Sequence, residues 1–232
     1  MSDNLTSGIA PPGSSTAAFD WSLYADATFA GLAVLVPLPL LDWMLEQFFR
    51  RRMAPAIARR HGQVLPPPVR AELTTAERSC VASCLGLLIG ATIGLVKRIS
   101  RKLLYVLTIK DAADQLSFYW QRAYLIDHMI AAGHLESAAS ARFARLAMEQ
   151  VLEQSTSPLQ GIAQQVIAGT RHIMPTLLKA RRGRDDAVIR QAETRMRQNW
   201  GGVAGYLTAL AARYDQVYQQ LVAGDAVSSH QA

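Results

Sequence analysis

The sequence predicts an all-α protein: a hydrophobic helical hairpin carrying a glycine zipper, followed by a helical bundle that ends in a long heptad-patterned helix. Three observations carry this prediction. Residues 80–96 pass without a charge, and within them Ala82, Gly86, Gly90 and Gly94 recur every fourth position, forming a nearly bare helix-packing stripe. Met196, Trp200, Val203, Leu207, Leu210, Tyr214, Val217 and Leu221 alternate in steps of four and three, the seam of a coiled coil or of a long bundle helix. From Leu103 onward, helix starts and stops punctuate the chain throughout. The organisation expected is a disordered tail over 1–26, a membrane-associating helical region over 27–102, a bundle over 103–224 and a second tail over 225–232.

Half of the residues are hydrophobic, at the upper end for a soluble chain, and the net charge is +6. The basic excess is clustered: Arg50-Arg51-Arg52 with Arg59-Arg60, then Lys97-Arg98 with Arg101-Lys102, then Lys179 with Arg181, Arg182 and Arg184. Two of these clusters adjoin hydrophobic segments, which favours lipid headgroups over nucleic acid as their partner, and no nucleic-acid motif or basic–aromatic interleaving is present. Arg50, Arg51, Arg52, Lys97, Arg98, Arg101 and Lys102 are therefore the headgroup candidates. Cys80 and Cys84, one helical turn apart, read as small apolar residues.

Residues 1–18, rich in Ser, Thr, Gly, Pro and Ala without a basic n-region, read as a tail and not as a secretory signal. Phe19, Trp21, Leu23 and Tyr24 form an interfacial or docking turn in this reading. The segment from Phe29 to Leu41 is broken by Pro37 and Pro39, which predicts a helix ending before Pro37 and a second from about Leu40 to Arg60. Leu41, Met44, Leu45, Phe48 and Phe49 give that second helix its apolar face, suited to a membrane interface or to a protein core. Gly62 ends it, and Pro66-Pro67-Pro68 reads as a stiff linker to a capping box at Thr74 and Glu77.

The zipper helix comes next. Glycine costs roughly 1 kcal/mol against alanine inside a helix, so three in register imply a compensating close approach of another helix. Its seventeen uncharged residues reach roughly 26 Å, against a hydrocarbon core of about 30 Å. Spanning, dipping into the membrane and burial in a soluble bundle all remain open. Basic clusters follow both hydrophobic segments, so two simple spans would carry one cluster to the wrong side; a monotopic or re-entrant hairpin keeps both on the cytoplasmic face.

Pro37-Leu38-Pro39-Leu40-Leu41-Asp42, a basic helix ending at Gly62, a Thr-x-x-Glu helix start and then the glycine zipper resemble, in that order, the hydrophobic helical domain of unknown function found in bacterial inner-membrane and GTPase-associated proteins. The resemblance covers residues 28–96. It implies membrane association beside a partner; the phosphate loop Gly-x-x-x-x-Gly-Lys-Ser/Thr of a GTPase is not in the sequence.

In the C-terminal half, Leu103, Leu104, Leu107, Leu116, Trp120, Ala123 and Ile130 mark the apolar face of a helix running to Gly133. Ser137 starts another, with Phe143, Leu146, Ala147 and Val151 inward, and Ser157-Pro158-Leu159-Gln160 starts a third. Pro175 kinks or ends that third helix, and Lys179 to Arg184 form a basic link. The last helix packs on the rest of this half or on a second copy.

No catalytic, cofactor-binding or metal-ligating set is complete: His-Glu-x-x-His, Glu-x-x-His, Gly-x-Ser-x-Gly and a dinucleotide fingerprint are all missing. The nearest to chemistry is Asp111, Asp114, Tyr124, Asp127 and His128 on one helix, and a solvated face or ion pairs with Lys110 or Arg122 account for those residues as well. His61, His134, His172 and His230 sit near helix ends or tails. The function expected is a non-enzymatic scaffold or partner-binding module on the cytoplasmic side of the inner membrane, its partners an anionic membrane surface and a second copy or another protein. A cytoplasmic all-α adaptor or homo-oligomer with a buried zipper helix is the alternative, and an enzyme using the acidic cluster is a further one.

Overall fold

The computed structural model describes residues 20–33, 39–74, 101–155, 158–168 and 187–229. Every regular element among them is an α-helix: α1 (Trp21–Leu32), α2 (Pro39–Arg60), α3 (Pro67–Thr74), α4 (Arg101–Ala131), α5 (Ala138–Glu153), α6 (Leu159–Ala168) and α7 (Ala187–Ser229). None of these helices is long and apolar enough to cross a membrane. The zipper residues Ala82, Gly86, Gly90 and Gly94, with Lys97 and Arg98, lie outside the described residues, as do the capping box partner Glu77 and the cysteines.

The architecture is a bundle around α4, which packs against α1, α2, α5, α6 and α7. From Ala112 to Ile130 this helix is buried on nearly every side, including Leu116, Trp120, Ala123, Leu125 and Met129. The single face expected from Leu116, Trp120, Ala123 and Ile130 is only part of this buried surface, which also takes in Ser117, Gln121 and Arg122. Polar groups inside it are satisfied locally. Trp120 Nε1 donates to Thr28 Oγ1 at 2.8 Å, Thr28 in turn donates to the Tyr24 carbonyl, and Arg122 Nη2 donates to the Leu73 carbonyl at 3.0 Å. That last bond places a buried guanidinium on an orphan carbonyl at the C-terminal end of α3.

Helix α1 lies closest to α4. At Gly31 a side chain would fall 2.5 Å from the Leu116 Cα, so only glycine permits this approach. Asp20 caps α1 by accepting from the Ser22 amide at 2.8 Å. Residues 21–26, expected to belong to the tail, are helix, with Leu23, Tyr24 and Asp26 buried. At the other end α7 runs to Ser229, so residues 225–229 of the expected C-terminal tail continue a helix.

Helix α2 spans the residues expected but turns a different face inward. Leu45, Phe49, Met53, Ala54, Ile57 and Ala58 are buried, with Phe29 and Phe49 ring centroids 5.1 Å apart, while Met44 is 58 % exposed. The inward stripe therefore runs toward the C-terminus, where α1 covers it. Both α2 and α4 stop at glycines in the left-handed region, Gly62 at φ 67° and Gly133 at φ 74°. In each, the amide two residues past the last helical turn bonds back, Gln63 to the Ala58 carbonyl and His134 to the Met129 carbonyl, both at 2.9 Å. These are Schellman motifs, and they fix the exit of both helices.

The prolines before Thr74 are not a linker. Pro67 opens α3, where a missing amide costs nothing, and Val69 and Leu73 pack toward α5. Thr74 is its last residue and donates its hydroxyl to the Arg70 carbonyl at 2.9 Å. Ser137 caps α5 in a reciprocal box with Ser140. The inward stripe of α5 is smaller than expected: Ala141, Ala144, Ala147, Met148, Val151 and Leu152 are buried, with Phe143 and Leu146 half-buried at its edge. The seam of α7 closes the bundle on this side. Val203, Leu207, Leu210 and Tyr214 are buried and Val217 and Leu221 half-buried, with α7 packed on α5, α6 and α4 of the same chain. Met196 and Trp200 lie on the N-terminal half of that helix.

The close approach at Gly31 gives a direct test. Gly31→Ala must push Leu116 away, and its equilibrium stability in urea is expected to fall by about 1–3 kcal/mol. Gly205→Ala, where a Cβ would meet nothing within 4 Å, is expected to gain up to about 1 kcal/mol from helix propensity.

Candidate functional site

Two surface features stand out, one on α2 and one at the end of the bundle where α1 begins and α2 and α4 stop. On α2, Met44, Gln47, Phe48, Arg51 and Arg52 line a shallow groove of about 510 Å³. Their spacing of three and four residues places them on one helical face. Phe48 is half-buried and supplies the floor with the exposed Met44, and Arg51 and Arg52 are exposed at the rim. Arg52 also reaches inward, with its Nε 3.2 Å from Asp26 Oδ1. Burial pushes the Asp26 carboxyl above its ordinary range, against the opposing pull of Arg52 and Arg59. Deeper along α2, the Tyr119 hydroxyl donates to Glu46.

The polar end is a series of charge-assisted pairs between helices. Arg60 bridges Asp20, Nη2 to Oδ2 at 2.5 Å, and Asp127, Nη1 to Oδ1 at 3.6 Å, while His61 Nε2 lies 2.8 Å from the same Asp127 oxygen. Burial raises the Asp20 carboxyl, but its hydrogen bonds with Ser22 and the charge of Arg60 outweigh that and hold it below the usual carboxylate range. Next along α4, His128 Nε2 meets Asp215 Oδ1 of α7 at 2.8 Å. His134, just past Gly133, stacks on Tyr218 with ring centroids 3.9 Å apart, and its Nδ1 lies 2.9 Å from the Tyr214 hydroxyl. Burial raises the Tyr214 phenol far above its ordinary value, so the hydroxyl beside His134 Nδ1 keeps its proton. These contacts lock α7 to the end of α4.

The acidic cluster anticipated on α4 is not assembled. Asp111 is exposed; Asp114 accepts from Gln160 of α6; Asp127 is held by Arg60 and His61; His128 is held by Asp215; and Tyr124 is half-buried. Among the described residues no three His, Cys, Asp or Glu side chains converge as metal ligands. Of the headgroup candidates, Arg50 is half-buried, Arg51 and Arg52 stand at the groove, and Arg101 and Lys102 open α4. The pairs at the polar end escape sequence reasoning because their partners lie 40 to 87 residues away. The signal present in the sequence is that each helix-stopping glycine has a histidine beside it, His61 before Gly62 and His134 after Gly133.

Burial lowers the His134 pKa, an effect larger than the attraction of Asp215. A histidine whose folded pKa is depressed contributes stability above its unfolded pKa and loses it as pH falls toward the folded value. His134→Gln, whose amide can hydrogen-bond Tyr214 as donor or acceptor, is therefore expected to destabilise the protein less at about pH 5.5 than at about pH 7.5. Urea midpoints at the two pH values check this; an equal loss at both would contradict it.

Comparison of the chain with protein-family models, with curated proteins and with solved structures returns no match.

Proposed function

We propose that this chain is a non-enzymatic helical scaffold that docks peripherally on an anionic membrane surface through the outer face of α2. The observation that supports this reading most is the groove itself. Met44 is 58 % exposed and lines the groove with Phe48 and the exposed Arg51 and Arg52, so apolar atoms and cations share one helical face. A helix of that kind gains from burying its apolar edge at the acyl boundary while each arginine near the surface adds about 1 kcal/mol. Membrane association is also what the resemblance of residues 28–96 implies. The bundle of α4 to α7 then carries the partner-binding surface.

A cytoplasmic adaptor or oligomer without lipid contact is the second reading. Its support is that Phe29, Ala30 and Leu32 of the first hydrophobic segment are buried in the core of the chain.

Flotation of the full chain with vesicles separates the two. Binding is expected to vesicles containing phosphatidylglycerol and to fall sharply on neutral phosphatidylcholine. Arg51→Glu should weaken the partition coefficient about fivefold or more, and Met44→Glu should weaken it on both vesicle types. Failure of the unaltered chain to float with anionic vesicles would remove the membrane reading and leave the adaptor.

A further inference from the structure

The cations of the α2 groove are partly answered from within the chain. Arg52, one of the two arginines at the rim, has a side chain 45 % exposed, yet its Nε lies 3.2 Å from Asp26 Oδ1, and the Asp26 side chain is only 11 % exposed. Among the described residues Asp26 is the one buried carboxylate. It lies on α1 with Leu23, Ala27 and Ala30, all buried, at a position an apolar side chain would fill without losing hydration. The charged groups that face it, Arg52 and Arg59, both come from α2, and they offset only part of the cost of burial, so the carboxyl stays above its ordinary range.

This geometry sets up a competition. A lipid phosphate at the rim and the Asp26 carboxylate are both anions that bond the same guanidinium. Moving Arg52 wholly to a headgroup would leave the buried carboxylate without its hydrogen-bonding partner, which opposes the move. Arg52 therefore adds less to docking than its neighbour Arg51.

On the reading that this face of α2 docks on an anionic membrane, we propose that Asp26 is an autoinhibitory residue: it competes with lipid headgroup phosphate for Arg52, and neutralising it strengthens docking. A proton is one agent of that neutralisation, so the contact tightens docking as pH falls.

Flotation of the full chain with phosphatidylglycerol vesicles tests the competition. At about pH 7.5, Asp26→Asn is expected to raise the partition coefficient about fivefold, the effect of one arginine near the surface. Asp225→Asn, which changes net charge equally at an exposed position on α7, should change it less than about twofold. At about pH 5 the unaltered chain should approach the Asp26→Asn chain; the histidines titrate in both alike, so the narrowing belongs to Asp26. Arg51→Gln and Arg52→Gln read the competition with Asp26 in place: the first should weaken binding about fivefold and the second less than about twofold. A folded Asp26→Asn chain that binds no better than the unaltered one, an equal gain from Asp225→Asn, or equal losses from Arg51→Gln and Arg52→Gln would overturn the competition and leave the docking face standing. Failure of every chain to float would remove both.

Discussion

The contact on which the rest of the structure depends is the close crossing of α1 and α4. Gly31 rests against the Leu116 backbone, and from there Thr28 reaches Trp120 with a buried hydrogen bond. A fully buried tryptophan removes roughly 150–250 Å² from water, a gain of about 4–6 kcal/mol; the Thr28 hydroxyl keeps its indole N–H satisfied so that this gain is not offset. With α1 fixed so near to α4, α2 has one place to lie. Phe49 then meets Phe29, and the charged end of α2 arrives beside Asp20 and Asp127. The remaining faces of α4 are taken by α5, α6 and α7.

What could be read from the sequence was what depends on neighbours along the chain. Gly62 and Gly133 as helix stops, Ser137 as a helix start and the seam from Val203 to Leu221 all derive from local backbone or periodic rules, and all reappear in the fold. Pro67 misled because a proline run signals an extended linker or the first turn of a helix by the same missing amide. The face of α2 misled for another reason: Met44, Leu45, Phe48 and Phe49 make a wide apolar band, and which edge of it turns inward is set by α1 and α4. The burial of α4 beyond one face was equally out of reach, since Arg122, Gln121 and Ser117 look like a polar face until their partners Leu73 and Tyr206 are in place.

The candidate sites divide the same way. The cationic and apolar character of Met44 to Arg52 is written in consecutive turns, so the sequence marks it directly. The polar end is built from residues of several helices, and only folding brings them together. Both hydrophobic segments read as membrane elements in the sequence; in the fold, Phe29 to Ala33 of the first are core. The proposed docking surface is consequently the outer edge of α2 and not its apolar stripe.

The central claim is thus that the chain keeps its bundle intact and meets a membrane only with that edge. Amide hydrogen exchange of the full chain with and without phosphatidylglycerol vesicles tests it most directly. The account predicts added protection confined to α2 around Met44 to Arg52, with the slow exchange of α1 and α4 unchanged. Loss of protection in α1 and α4 on adding vesicles would show that the core opens and its apolar segments enter the lipid, and would contradict the account.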